Sequence, residues 1–119
     1  MRATKKFVDF LLNFPAAPPM PRPRIGPLDW SPAAMKGHFK AIYRARSKDL
    51  HEGIPIPLPM CRAPVRADGE AGFSETPYGH GHAGWSGPLQ WAYEDIPMVL
   101  NTFKYIVGHA LRAWWRTMP

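Results

Sequence analysis

The sequence predicts a mostly α-helical chain with extensive irregular, Pro/Gly-rich extended segments and no autonomous compact core. Three observations predict it. Apolar residues recur at three- and four-residue spacing over only two or three separate stretches, about 4–13, 32–50 and 96–116, and that period lines one face of a helix. Of fifteen prolines, six fall within 15–27 and four within 55–64; lacking an N–H and fixed in φ, they support neither a helix nor a sheet interior. Finally, 45% of residues are hydrophobic and 13% aromatic, with five tryptophans, too apolar for an ordinary disordered chain. The apolar surface calls for burial, and the pieces are too short to bury it among themselves. The reading is a single non-globular unit over 1–119, ordered by a partner.

The amphipathic N-terminal segment, 1–14, reads MRATKKFVDFLLNF. Phe7, Phe10, Leu11 and Phe14 form its apolar face, Arg2, Lys5 and Lys6 make it basic, and Thr4 is the candidate cap. Such a basic amphipathic start suits mitochondrial targeting, although Asp9 and the lack of serine depart from that pattern. A plain docking helix is the alternative. Residues 15–30 follow as a Pro-rich strap of polyproline II character, with Arg22 and Arg24 between prolines. Its Pro18–Pro21 spacing matches PxxP only as any stretch this dense in proline would.

Ser31-Pro32 is the clearest start signal: a hydroxyl N-cap before a proline at the first helical position. The basic amphipathic helix it opens runs through 31–52, with Met35, Phe39, Ile42 and Tyr43 on one face and Gly53 as its stop. Residues 53–90 read as an extended Pro/Gly-rich segment, where GIPIPLPMCRAP cannot donate a regular ladder of hydrogen bonds.

The segment 91–119 carries the strongest periodicity, from Ile96 through Val99, Leu100, Phe103, Val107 and Leu111 to Trp114. Glu94 and Asp95 precede it and Arg112 and Arg116 end it, as the helix dipole favours. Asp95 is the expected cap, with Pro97 in the first turn. A helix over 96–116 would be about 30 Å long, one hydrocarbon core. Trp91, Tyr93, Trp114 and Trp115 flank it like an aromatic belt. Lys104 stands against spanning, because a mid-membrane lysine costs about 2.5–3.5 kcal/mol and each apolar residue returns only about 0.3–0.6. Spanning, an interfacial or peripheral placement, and packing on a soluble assembly therefore stay open, and Lys104 decides the helix's relation to the membrane.

No catalytic apparatus is legible. The chain has no GxSxG elbow and no GxxxxGK or GxGxxG phosphate loop. Cys61 is its lone cysteine, which excludes an intramolecular disulfide. His80-x-His82, even with Cys61, His51 or His38, falls short of the close ligand spacings of a zinc site. We therefore expect no enzyme activity, metal, cofactor or small-molecule substrate. Net charge is +6, which favours anionic partners, but the cations are dispersed. Nucleic acid is the weaker expectation beside protein subunits and anionic lipid headgroups. The residues expected to make partner or membrane contact are Trp85, Trp91, Phe103, Lys104, Arg112, Trp114, Trp115 and Arg116.

The basic start MRATKKFVDFLLNF, the Pro-rich straps and a helix ending in Trp and Arg give the chain a character that resembles small supernumerary subunits of mitochondrial assemblies. That resemblance implies a structural accessory subunit of an inner-membrane complex, a respiratory-chain complex or ATP synthase, located in the mitochondrial inner membrane or at its surface. The alternative it implies is a mitoribosomal protein binding rRNA and its neighbours.

Overall fold

The computed structural model describes residues 2–23, 27–54, 58–61, 63, 72–76, 83–86, 89–92 and 97–119. The elements, in order, are α1 (Arg2–Asn13), α2 (Pro32–Glu52), a 3₁₀ turn (Leu58–Cys61), a hairpin of β1 (Ala83–Ser86) and β2 (Leu89–Ala92), and α3 (Leu100–Trp115). The described part is mostly helical, as the periodicity predicts.

Helix α1 begins at Arg2, so Thr4 lies inside its first turn and does not cap it. Val8 and Leu11 are its buried residues, and Phe7, Phe10, Leu12 and Phe14 pack beside them. On the exposed side Lys5 donates to Asp9 at 2.6 Å, one turn along. Helix α2 follows its local signals closely. The Ser31 hydroxyl accepts from the Ala34 N–H at 3.4 Å, and Pro32 opens the helix. The Ser31 N–H in turn donates to Asp29 Oδ1 at 2.9 Å. Gly53 ends α2 in the left-handed region, at φ 70°, a conformation glycine adopts without a Cβ penalty. The next N–H, of Ile54, returns to the Lys48 carbonyl at 3.3 Å, a Schellman closure. Met35, Phe39, Ala41, Ile42 and Ala45 are buried, while Tyr43 is half-buried with its ring 5.3 Å from Phe7.

Helix α3 starts four residues later than the pattern predicts, at Leu100 with Val99 as its N-cap. Pro97 therefore precedes the helix, and Asp95 is not its cap. The physical reason is a tertiary acceptor: the Glu75 carbonyl takes the Val99 N–H at 3.1 Å and the Thr102 hydroxyl at 3.2 Å. Both donors sit at the helix entrance, where backbone N–H groups lack intrahelical partners. At sixteen residues, α3 is about 24 Å long.

The sequence predicts helices that stand apart without a core, and here the structure differs. Val8, Leu11, Leu28, Met35, Phe39, Ile42, Met60, Met98, Ile106 and Ala110 form one buried cluster. The Pro-rich pieces are what close it, since Leu28, Met60 and Met98 come from outside the helices and fill space between them.

Segment 72–76 stitches this arrangement together. Glu75, only 3% exposed, accepts at Oε1 from Arg22 Nη2 (3.0 Å), the Leu28 N–H (2.9 Å) and Trp30 Nε1 (3.1 Å). Arg22 also donates to the Leu28 carbonyl at 3.1 Å and stands 6.0 Å over the Trp30 ring. Three residues earlier, Gly72 lies against the strap backbone. A Cβ there would collide with the Pro21 carbonyl oxygen and come within 2.8 Å of the Pro23 nitrogen. From the other side, the Tyr105 hydroxyl donates to the Ala17 carbonyl at 2.7 Å. The strap is thus tied at 17, 22, 28 and 30 to residues far along the chain.

Within 53–90 the described residues hold the 3₁₀ turn, segment 72–76 and most of the hairpin. In that hairpin Ala83 pairs with Ala92 and Ser86 with Leu89, antiparallel. The extended reading at 55–57, the His80/His82 pair and the Glu94-Asp95 pair lie outside the described residues.

Candidate docking surface

Burial along α3 stops at Ala110. Up to that point Thr102, Ile106 and Ala110 face the core at four-residue spacing. Beyond it the helix continues with Leu111, Trp114 and Trp115, and the turn that closes it leads to Met118; all four are exposed. The spacing of Leu111, Trp114 and Trp115 places them along one ridge, and the Met118 N–H bond to the Trp115 carbonyl keeps Met118 beside its end. The ridge is ordered to its end. Arg116 N–H bonds the Arg112 carbonyl at 3.2 Å, Thr117 bonds Trp114 through both its N–H (3.0 Å) and its hydroxyl (2.6 Å), and Met118 N–H bonds Trp115 at 3.1 Å.

Trp115 is the outermost large side chain of the ridge, at 71% exposure. Trp114 meets it edge-on at 6.5 Å and reaches back to the Phe10 ring of α1 at 6.4 Å. Phe10 in turn stacks at 5.4 Å on Phe14. The ridge is therefore anchored to the body by aromatic contacts and is not a loose tail. Arg112 and Arg116, one helical turn apart, are both exposed beside it. Arg112 lies back along the helix over Gly108, where a Cβ would come 3.3 Å from its Nη1. Lys104 is exposed two turns before Leu111. No aspartate or glutamate occurs from 97 to 119.

Of the residues expected to make contacts, the structure gathers Arg112, Trp114, Trp115 and Arg116 at this end, with Lys104 further along the same helix. Phe103 turns inward instead, its ring 6.1 Å from Phe7. Trp85 and Trp91 are placed by backbone register alone, opposite Gln90 and Gly84. Sequence reasoning passed over Leu111 and Met118 as contact residues. The signal was present in the unbroken spacing 111, 114, 115, 118, which runs on past the last core residue.

Other polar groups point to scaffolding. His38 is half-buried with Nε2 enclosed and lacking a protein hydrogen-bond partner. Burial pushes its imidazole below the ordinary value of 6.5, against the pull of nearby Asp29. Asp29, held by the Ser31 N–H and hydroxyl, is itself lowered. A cleft of about 550 Å³ opens between Pro19, Met20, Phe73 and Tyr105. Its walls are chiefly apolar, and its one described carboxylate, Glu75, is engaged by three donors at Oε1, while Oε2 is enclosed with no protein hydrogen-bond partner. Among the described residues no three His, Cys, Asp or Glu side chains cluster as a metal set. None of the described helices is long and apolar enough to cross a membrane. No family model matches the chain, and no curated protein or solved structure is detectably similar to it.

Proposed function

We propose that this chain is a structural accessory (supernumerary) subunit of a mitochondrial inner-membrane complex, of the respiratory-chain or ATP-synthase kind, without catalytic activity of its own. The observation that carries the reading is the far end of α3. Four large apolar side chains are held exposed on an ordered ridge beside two arginines. A monomer gains nothing from showing two tryptophans and a leucine to water, and patches of this kind serve association. Such anchors act by leaving water for an apolar surround while arginines beside them meet anionic groups. The clasp at Glu75 then has a mechanical role: it holds the strap in one shape, so that the strap can meet the assembly while the ridge stays free at the far end of α3.

At about 24 Å and with Lys104 exposed, α3 fits attachment at a membrane surface better than passage through it. A tagged copy of the full chain, expressed in its own cells, tests this. It should co-migrate on native gels with a large inner-membrane complex and leave the membrane on carbonate extraction. Migration as a free 13.4 kDa monomer would end the proposal. The mitoribosomal alternative draws on the exposed Lys36, Lys40, Arg44 and Arg46 of α2. It predicts that nuclease treatment, and not detergent, frees the protein from its particle.

A further inference from the structure

We infer that the far end of α3 seats in the headgroup layer of an anionic membrane, with Trp115, Leu111, Trp114 and Met118 entering the interface and Arg112 and Arg116 binding lipid phosphates. This names the partner of the docking end. It rests on the subunit reading for where the membrane is met, and on the ridge alone for the chemistry.

Charge singles out this occupant. The stretch 97–119 carries Lys104, Arg112 and Arg116 and no acidic residue. The element packed against it, α1, presents Lys5 and Lys6, and its one acid, Asp9, is paired with Lys5. Among the described residues the end of α3 thus carries cations with no acid of its own, which suits a uniformly anionic plane. A protein site would have to supply matched acids at fixed positions for each cation.

Residue type agrees. Tryptophan carries an apolar body and one N–H, and it concentrates at the depth where acyl chains give way to headgroups. Arginines at 112 and 116 stand one turn apart beside the apolar line, so their stems can lie along it while the guanidinium groups stay with the phosphates. The ridge is exposed and lies at a helix end, which suits shallow insertion into a fluid layer.

The test is co-sedimentation of the purified full chain with phosphatidylcholine vesicles, with and without added phosphatidylglycerol. Binding should require the anionic lipid and weaken as salt rises. Arg112→Gln with Arg116→Gln should lower partitioning about 25-fold, at about fivefold for each arginine. Trp115→Ala with Leu111→Ala should also weaken binding but leave its salt dependence unchanged. Leu50→Ala, at an exposed leucine on α2, should have no effect. Equal binding to neutral and anionic vesicles would overturn the inference, as would ridge variants that bind like the parent. So would a photo-crosslinker at position 115 that captures a protein in intact membranes. Vesicle binding lost while native-gel co-migration persists refutes the lipid seat alone. Vesicle binding kept by a chain that joins no complex refutes the subunit reading alone.

Discussion

Replacing Glu75 by alanine should be among the most damaging single changes in the molecule. Its carboxylate oxygen Oε1 accepts three donors from the strap, and the alanine leaves all three behind. The Leu28 N–H bond is buried, and a buried donor left without an acceptor costs about 2 kcal/mol. Trp30 Nε1 is in a half-buried ring and can recover water in part, which brings its loss to about 1 kcal/mol. Arg22 loses its counter-ion. Its side chain is 32% exposed, so solvent reduces the several kcal/mol of a fully buried broken pair to about 1. Together these losses come to about 4 kcal/mol, a large share of the 5–15 typical of a domain. Urea unfolding of the full chain, followed by far-ultraviolet circular dichroism, gives the figure. Glu75→Gln keeps an acceptor while removing the charge, and should lose about 1–2 kcal/mol. Pairing Glu75→Ala with Arg22→Met should be less damaging than the sum of the single changes, because no guanidinium is then left without its partner. The exposed Lys5–Asp9 pair is the internal control, and Asp9→Asn should move stability by less than about 0.5 kcal/mol. If Glu75→Ala proves no worse than Asp9→Asn, the clasp does not hold the strap and the reasoning fails.

Three further outcomes follow from the same contacts. Gly72→Ala forces a methyl into the backbone of Pro21–Pro23 and should cost about 3 kcal/mol in the same unfolding assay, as overpacking against an unyielding neighbour does. Tyr105→Phe deletes the bond to Ala17 at an exposed site and should cost about 0.5–1 kcal/mol, with hydrogen exchange rising around the strap. His38 predicts an acid-side weakness: with its folded value pushed below 6.5, the unfolded chain takes up the proton first. Its contribution is therefore complete above 6.5 and is lost as pH falls from there toward the folded value. Comparing unfolding at about pH 7.5 and about pH 5.5 should show a drop in the parent that His38→Gln diminishes.

How much of this was legible depends on how local each cause is. Helix α2 was readable at both ends because its signals, Ser31-Pro32 and Gly53, act within a few residues of themselves. The start of α3 was not, because Asp95 and Pro97 look like a cap and a first turn, whereas the Glu75 carbonyl sets the entrance from 24 positions away. Glu75 itself carries no sequence signature; a glutamate beside Pro- and Gly-rich sequence looks solvated until Arg22, 53 positions earlier, folds onto it. The shared core was missed for a related reason. Leu28, Met60 and Met98 sit in stretches whose prolines deny them any period, so no spacing marks them as buried. The docking end was half legible. Trp114, Trp115, Arg112 and Arg116 stood out by type, but the ridge became a surface only once Ala110 was seen to be the last buried residue.

The bond from Tyr105 to Ala17 joins residues 88 positions apart, and that from Arg22 to Glu75 joins residues 53 apart. Each closes a long loop before it returns any energy, although the loop-closure entropy rises only as the logarithm of length. Helix α2 needs no such search and can form early. The apolar face of α1 must wait for α2 and α3 to reach it. Contacts this distant slow folding, and the phenylalanines of α1 stay uncovered throughout the search. The chain's most aggregation-prone interval is thus set by how fast its distant parts meet and not by how fast its helices form. Anything that tightens the clasp would shorten it.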